Sequence, residues 1–544
     1  MSVIYCWAER VLVWLGPREP NEDVLWAMQE FVPSLHHMAS QDTQGLYKKK
    51  SLALTDHVFV HRLGEESCKR WRMSLFALIS FFCRSSWFSR GWVAQEAFSQ
   101  PVGSVAMLAG RKPMRFEQVL QLTSILDHYF SFSDILPMLA RQQHQDPEDK
   151  AFWPGSTTMS NLRRFPLLQD HLGRYASTDR PWEAILGLLD KMSTFKFADP
   201  RDHVFGCLGL ITTIMRIGPF EGFFIPNYEL TTRQVFMSTA RMIIQNIPEL
   251  DILFSFVGRH EAYHPPSDMV SDFPSWVPDF TMPKRANALY RRLKLSASTC
   301  SVASTTGSDS RYTAELREDT LFVDGARLDV VSDSIYIGPV SARRRMRGDW
   351  LLDYLFRSGC YPFGGQTRER AILETLAANS EFDSSASASV EESAREWYAL
   401  TLSTCFLEEE GDIEEFFTIK LTHAPGEAPP WLPTSSMVLR MMGLDDASFL
   451  GARNRNDWHH LTKNNMVGRS ILETDEGYLV LGPRTTKPRD EIWAVRGSRL
   501  PVLLRKSKKQ KGYYNVLGVV YVHGLALDDV MNEPGQGMKR IGLV

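Results

Sequence analysis

Residues 86–96 place a carboxylate among aromatic side chains, in the sequence SWFSRGWVAQE. Read as a helix, this segment puts Phe88, Trp92 and Glu96 four residues apart and therefore on one face. That face is apolar and is expected to point inward, where an unpaired charge is too costly to bury. Glu96 is therefore expected to be ion-paired, protonated or beside a pocket, where a carboxylate can stabilise positive charge that develops in a transition state.

A structural explanation of Glu96 competes with this catalytic one. Arg84 and Arg90 are close to it in the sequence, and either could hold the carboxylate in an ion pair beneath a tryptophan ring. Purely structural ion pairs also bury carboxylates. We therefore favour a paired Glu96, and a Glu96 that faces an open cleft is the catalytic alternative.

Residues 199–205, with the sequence DPRDHVF, form a second polar group. Asp199 as the N-cap, Pro200 at the first helical position and Asp202 in the first turn predict the start of a helix. Asp199, Arg201 and Asp202 could instead form a polar binding site. We prefer the capping interpretation, because it accounts for both aspartates without such a site.

Strands and helices alternate in residues 1–130, the region that carries Glu96. Residues 11–15 are a continuous apolar run ended by Gly16, as expected of a strand that is buried on both faces. Residues 104–109 predict a second strand, and helical spacing lies between the two. This alternation predicts parallel pairing and an α/β layer.

The rest of the chain divides into two regions. Residues 131–285 are expected to be mainly helical, and residues 286–544 to be β-rich, with a mobile Ser/Ala-rich insertion near 384–393. Short β-branched and aromatic runs between residues 478 and 522 predict a meander. The core of this last region is expected around Tyr478, Trp493, Leu503, Val516 and Tyr521.

Composition argues against several classes of protein. The net charge of −3 gives no overall attraction to nucleic acid. We find neither a secretory signal nor an apolar run long enough to span a membrane. The seven cysteines include no Cys-x-x-Cys pair, which favours reduced thiols in a cytoplasmic protein. His459 and His460 lack a third spaced ligand, so no metal site is predicted. Basic residues between 505 and 511 are interpreted as a solvated hairpin tip, with phosphate binding as a minor alternative.

Five separated parts of the sequence resemble, in order, the heterokaryon incompatibility (HET) domain proteins of filamentous fungi. These parts are MSVIYCWAERVLVWLG at 1–16, the tryptophan-rich run at 87–96, DPRDHVF at 199–205, PSWVPD at 274–279, and the pieces GY, LGP, PVLLR and YVHG between 477 and 524. The motif residues are Trp14, Gly16, Trp87, Arg90, Trp92, Gln95, Asp199, Arg201, Asp202, Trp276, Pro278 and Asp279. Of these, Trp276 is expected to anchor a core rather than to stack on a ligand.

The resemblance implies a fungal self/non-self recognition protein whose N-terminal domain is a regulated cell-death effector. It also implies a protein partner in incompatibility signalling and self-association of the N-terminal region. HET domains have been likened to the TIR fold, whose NAD-cleaving members place a glutamate four residues after a tryptophan on a helix. Trp92 and Glu96 have that spacing, so the alternative function is an NAD glycohydrolase, with NAD as substrate and no cofactor.

The chain also departs from the family pattern. The family strings LSY.WG and WIDA.CINQ do not occur, so we expect a HET domain that lacks its N-terminal part. Such a domain would have an incomplete parallel sheet with an unpaired apolar edge, and an inactive remnant that only binds a partner is the third interpretation. Near the C-terminal end, a usual Gly-Asp turn reads Arg489-Asp490.

Overall fold

The computed structural model of this chain describes residues 8–41, 57–99, 102–129, 164–175, 181–215, 225–247, 250–255, 257, 273–281, 314–335, 351–352, 354–355, 357, 360–378, 388–409, 412–423, 431–445, 448–449, 452, 456–466, 469–525 and 537–544. The chain forms two compact units, residues 1–236 with 280–283 and residues 237–279 with 284–544. The predicted order of an α/β N-terminal region, a helical middle and a β-rich C-terminal region is confirmed. The N-terminal helix end predicted near residues 4–8 lies mainly outside the described residues.

The first unit contains a three-stranded sheet of β1 (Val11–Trp14), β2 (Val105–Ala109) and β3 (Lys112–Arg115). Strands β1 and β2 are parallel, as the alternation of strands and helices predicted, and β3 returns antiparallel to β2. The prediction that the first strand is buried on both faces is wrong, because Leu12 and Trp14 are 66% and 59% exposed. Successive side chains of a strand point to opposite faces, and only the face of Val11 and Val13 enters the core.

Helices surround the strands in this part of the sequence. The first, α1 (Glu22–Trp26), is capped by the Asn21 side chain, which accepts the backbone N–H of Val24 at 2.9 Å. It continues through a π-helical turn, Ala27–Phe31, into α2 (Val32–Ser40). The others are α3 (His57–Leu63), α4 (Glu65–Arg84), α5 (Val93–Phe98), α6 (Phe116–Tyr129), α7 (Arg164–Tyr175), α8 (Pro181–Met192), α9 (Asp202–Phe205), α10 (Leu208–Met215) and α11 (Thr232–Asn246), within which the boundary between the units falls.

The second unit is built on a sheet that closes on itself. Its strands are β4 (Glu315–Arg317), β5 (Thr320–Ile335), β6 (Arg469–Thr474), β7 (Leu479–Pro483), β8 (Glu491–Val495), β9 (Val502–Lys506), β10 (Tyr513–Val519), β11 (Tyr521–Val522) and β12 (Lys539–Leu543). The path β5-β12-β10-β9-β8 returns to β5, because β5 also pairs with β8. The far end of β5 pairs with β6, which is followed by β7 and β11. Closure removes sheet edges from this part of the molecule.

Strand β5 serves both parts of this sheet because it is long and irregular. It spans 16 residues, and its register shifts between Arg327 and Asp329 and again between Val331 and Asp333. Bulges of this kind bend a strand and increase its twist. Sequence reasoning divided this element into two short strands, 320–324 and 328–331, which the structure shows to be one.

The β-rich region also contains helices that the sequence analysis missed. They are α12 (Leu250–Phe254), which precedes β4, and α13 (Arg368–Ala377), α14 (Ala388–Glu409), α15 (Ile413–His423), α16 (Ser435–Met442) and α17 (Asp457–Met466), which lie between β5 and β6. The expectation of a mobile insertion at 384–393 is wrong for residues 388–393, which form the first turns of α14. Ser393 is fixed there, since its hydroxyl accepts the backbone N–H of Trp458 at 2.8 Å.

The core of the barrel contains the aliphatic residues that the sequence pattern pointed to. Leu503, Trp493 and Val516 are buried, whereas Tyr478 and Tyr521 are partly buried at its margin. The central cluster consists of Val331, Leu472, Val480, Ile492, Leu503, Val520 and Val522. Removal of these side chains from water is the main term that holds the strands together.

Arg489 occupies a backbone conformation that favours glycine. Its φ is +74°, in the left-handed region, and its N–H donates to the carbonyl of Val331 at 2.8 Å. The carbonyl of Asp490 in turn accepts from the N–H of Val331, also at 2.8 Å. These two bonds fix the turn to β5, so the side chain at 489 has to tolerate the strain.

We predict that Arg489→Gly raises the free energy of unfolding by about 1 kcal/mol, because glycine adopts this φ without a steric cost. Urea denaturation of the full chain measures the change. Arg496→Gly is the control, since it removes an equal charge from an exposed turn residue that lacks a positive φ. The control is expected to be neutral or destabilising, and a lower stability of Arg489→Gly would contradict the assignment of strain.

Candidate functional site

The tryptophan-rich segment is not one continuous helix. Residues Ser86–Ser89 form a 3₁₀ turn, Arg90 is extended, and Trp92 is the N-cap of α5. The prediction that Phe88, Trp92 and Glu96 share one helix face is therefore wrong for Phe88. The backbone leaves the helical path because Arg90 pairs with Lys196, where the N–H of Gly91 donates to the Lys196 carbonyl at 2.9 Å.

Glu96 lies on α5, half-buried, one turn after Trp92. Its Oε2 accepts a hydrogen bond from the indole Nε1 of Trp87 at 3.0 Å. Among the side chains that the structure describes, no cation pairs with it, and Arg90 is exposed. The side chain of Arg84, the other expected partner, lies outside the described residues. The carboxylate is thus held by an indole where we expected a guanidinium.

The indole that holds Glu96 is itself fixed by aromatic packing. Trp87 stacks on Phe165 with ring centroids 5.6 Å apart, and its edges meet Phe88 at 5.0 Å and Phe116 at 6.3 Å. Such contacts contribute beyond their buried area and restrict the orientation of the ring. The position of Glu96 therefore depends on a rigid cluster and not on a mobile ion pair.

The two motif segments of the first unit meet directly. Gln95 is buried, and its Nε2 donates to the carbonyl of Gly206 at 2.7 Å. The ring of Trp92 packs edge-to-face on Phe197, with centroids 6.0 Å apart. Gly91 is required for this approach, because a Cβ there would lie 1.9 Å from the Phe197 ring. Residues 87–96 and 199–206, which are about 100 positions apart in the sequence, thus form one site.

Arg201 holds this site together through all sides of its guanidinium. Its Nε and Nη2 donate to the carboxylate of Asp199 at 2.9 and 2.6 Å, and this pairing lowers the pKa of Asp199. Its Nη1 donates to the carbonyls of Tyr228 and Leu230 at 2.7 and 2.8 Å. The guanidinium therefore fastens residues 225–231 to the turn that precedes α9.

Asp202 has a different environment from Asp199. Its buried Oδ1 accepts the hydroxyl of Tyr228 at 2.6 Å, and the side chain of Trp92 donates a second hydrogen bond. Burial raises the pKa of Asp202, and the negative charge of Asp199 acts in the same direction. Helix α9 begins at Asp202, later than predicted, after a hydrogen-bonded turn that starts at Asp199. The carboxylate of Asp202 thus contacts Tyr228 and Trp92 in addition to any influence on the helix end.

The arrangement combines groups that can act on a ligand. Trp92 connects two carboxylates, since it donates to Asp202 and stands one turn before Glu96. A carboxyl group with a raised pKa can exchange a proton near neutral pH more readily than an ordinary one, and a carboxylate held by an indole can stabilise a cation. Tyr228 is 50% exposed, so the surface of this cluster is open to solvent on that side.

The other motif residues lie apart from this cluster. Trp14 ends the exposed face of β1, and Gly16 has a φ of +111° in the turn that follows. In the second unit, Trp276 is fully buried and donates to the carbonyl of Asp319 at 2.9 Å, while Pro278 is buried and Asp279 is partly buried. This arrangement of Trp276 is that of a core anchor.

A buried polar network in the second unit escaped the sequence analysis. His523 is 2% exposed; its Nδ1 accepts the hydroxyl of Tyr521 at 3.0 Å, and its Nε2 lies 2.8 Å from Gln366 Oε1 and 3.3 Å from Glu374 Oε2. These distances assign the proton to Nε2. Arg370 donates to Glu374 at 2.6 Å. No pattern links residues about 150 positions apart, so only the YVHG motif hinted at this network.

Two searches of the described residues gave no site. No group of three His, Cys, Asp or Glu side chains in that part of the chain could hold a metal ion. His459 is described, and the side chain of His460 lies outside the described residues. No helix in the same part of the chain is long and apolar enough to cross a membrane.

The comparison with protein families identifies one region. Residues 450–534 match the Het-6 beta-barrel domain, a HET-family region. The match covers β6 to β11, and the closed sheet also uses β5 and β12, which lie outside it. No curated protein and no solved structure matches the chain. The match is consistent with a protein of the heterokaryon incompatibility type, and the absence of an N-terminal part and the likeness to the TIR fold stay predictions.

We predict that Arg201→Lys destabilises the first unit by about 1–3 kcal/mol, because a lysine cannot reproduce the guanidinium contacts. Amide hydrogen exchange in residues 225–231 should become faster, and the urea midpoint should fall. Arg111→Lys, an exposed substitution of the same kind, is the control and should change neither. Unchanged exchange in residues 225–231 would show that Arg201 does not fasten this segment.

We predict a pH dependence of stability that arises at His523. Burial lowers its pKa below the ordinary 6.5, against the opposing effect of Glu374 and with the help of Arg370. As the pH falls through 6.5, the unfolded chain therefore takes up a proton before the folded chain does, and stability decreases. Urea midpoints measured from about pH 7.5 to about pH 5.5 should decline, and His523→Gln should flatten the decline. An equal slope in the variant would assign the effect to other groups.

Proposed function

We propose that this chain is a fungal self/non-self recognition protein whose N-terminal unit is a regulated cell-death effector. The match of residues 450–534 to the Het-6 beta-barrel domain carries this proposal. The union of the HET-like segments 87–96 and 199–206 in one cluster supports it, because segments that resemble one domain form a common site here.

The proposed mechanism is regulated association of the N-terminal unit with a protein partner or with a second copy. Strand β1 is at the edge of the described three-stranded sheet, with β2 on its other side. Its outward side chains, Leu12 and Trp14, are apolar and exposed. An exposed edge with apolar side chains is the kind of surface on which another strand can add.

The second candidate function is cleavage of NAD between nicotinamide and ribose. It is favoured by Glu96, which is half-buried, follows Trp92 by one turn and accepts only an indole hydrogen bond among the described side chains. Its carboxylate would bind the ribose hydroxyls and stabilise the oxocarbenium ion that forms as nicotinamide leaves, before water attacks. In this case NAD is the substrate, and the chain is an NAD glycohydrolase.

We predict that expression of the full chain in a filamentous fungus arrests growth and that Trp14→Asp abolishes this effect, because a charge at the exposed edge opposes association. Glu96→Gln keeps an acceptor for the Trp87 indole and should leave the melting temperature nearly unchanged. If the chain acts by association alone, Glu96→Gln keeps the arrest and cellular NAD stays constant. If it cleaves NAD, the wild type depletes NAD and Glu96→Gln does not.

Glu30→Gln is the matched control, since Glu30 is an exposed glutamate of the same unit. It should behave as the wild type in growth and in NAD content. Loss of the arrest in this control would show that the assay reports folding or expression. A wild-type chain that neither arrests growth nor lowers NAD would refute the effector proposal and favour a remnant that only binds a partner.

A further inference from the structure

One end of the barrel concentrates positive charge. Residues 484–511 contain ten lysines and arginines but only two acidic residues, although the whole chain has a net charge of −3. The segment comprises the turn between β7 and β8, strands β8 and β9, and most of the β9–β10 hairpin tip. The charge is therefore strongly asymmetric within the second unit.

Both acidic residues of this segment are already paired. Asp490 accepts hydrogen bonds from Arg505 at 2.8 and 2.7 Å, and Glu491 lies 2.8 Å from the Nζ of Lys506. Asp490 and Glu491 are each 3% exposed, so these pairs belong to the barrel wall. They neutralise two cations and leave the charge of the remaining ones uncompensated.

Strand pairing brings the remaining cations to one place. The β7–β8 turn lies beside the end of β9, because Arg505 donates to the carbonyl of Thr485 at 2.8 Å. Lys487 and Arg489 of that turn are exposed. The tip of the β9–β10 hairpin follows directly, with three more exposed lysines, Lys508, Lys509 and Lys511.

Two further observations define the limits of this basic end. Strand β12 runs parallel to β10, with Gly542 opposite Tyr513, so the exposed Lys539 precedes this pair on the side of the hairpin tip. Asp475 and Glu476, in the turn after β6, border the surface, since the N–H of Asp475 donates to Val330 next to the Arg489 turn. Their two charges are outnumbered by those of the five exposed cations.

Arg489 gives independent support for a use of this charge. The φ of +74° makes glycine the favoured residue at this position, yet the chain has an exposed cation there. A residue kept in a strained conformation despite its cost points to a role of its side chain outside the fold.

We propose that this end of the barrel, formed by Lys487, Arg489, Lys508, Lys509 and Lys511, docks on an anionic lipid membrane surface. All residues from Lys508 to Gly512 are exposed on a hairpin turn, which suits contact with a flat array of headgroups. Single-stranded nucleic acid fits less well, since the tip sequence SKKQKG has no aromatic side chain on which a base can stack. Docking is peripheral and needs no spanning segment.

Sedimentation of the full chain with vesicles tests this directly. Vesicles of phosphatidylcholine mixed with phosphatidylserine should bind the chain, pure phosphatidylcholine should not, and added salt should release it. Each lysine near such a surface contributes about a five-fold factor, so Lys508→Gln, Lys509→Gln and Lys511→Gln together should weaken binding about a hundred-fold. Failure of the wild type to distinguish the two vesicles would overturn the proposal.

Two controls separate docking from charge and from folding. Arg111→Gln, Lys112→Gln and Arg115→Gln together remove the same charge from exposed positions of the β2–β3 hairpin and should leave binding unchanged. Arg489→Gly should weaken binding about five-fold while it stabilises the fold, a combination that damaged folding cannot produce. Equal losses in both triple variants, or retention of vesicle binding in the hairpin variant, would refute the assignment, as would stronger binding of a single-stranded RNA probe than of anionic vesicles.

Discussion

The guanidinium of Arg201 is the contact on which the candidate site of the first unit depends. It satisfies the carboxylate of Asp199 and two backbone carbonyls of residues 228–230 at once, so a turn and a distant segment share one cation. This attachment places Tyr228 where its hydroxyl reaches Asp202. Asp202 in turn accepts from Trp92, so the order of the cluster extends from one guanidinium to the tryptophan-rich segment.

The carboxylates of this cluster differ because their donors differ. Asp199 faces a cation, which lowers its pKa, whereas Asp202 is buried between a phenol and an indole, and its pKa is raised. Glu96 has an indole as its partner in the described part of the chain. A neutral donor orients a carboxylate without cancelling its charge, and this property keeps the charge available to a cationic ligand or transition state.

In the second unit, closure of the sheet has a comparable organising role. Because β5 pairs with β12, with β8 and, beyond its bulges, with β6, one strand joins the barrel to the added sheet. The buried contacts of His523, Tyr521 and Glu374 then attach α13 to that added sheet. The helices between β5 and β6 are thus tied to the strands through polar groups whose burial makes every missing partner costly.

The sequence alone determined the local and compositional features of this protein. Apolar alternation gave β1, β2 and the strands between 469 and 522, and the order of its motifs pointed to the HET family before the match at residues 450–534 supported it. It also singled out Glu96, Trp92, Asp202 and Arg201 as residues that could do chemistry. These features depend on neighbours in the sequence, where periodicity and motif spacing carry information.

Only the tertiary structure decided which of these residues act together. Nothing in the spacing shows that Trp92 reaches Asp202, that Trp87 replaces an arginine beside Glu96, or that His523 meets Glu374, because each contact joins segments whose approach is set by packing. The face of β1 was misjudged for the same reason, since Leu12 and Trp14 are as apolar as the buried residues beside them. An apolar run records what can be buried, and the arrangement of the other elements determines which of its faces is covered.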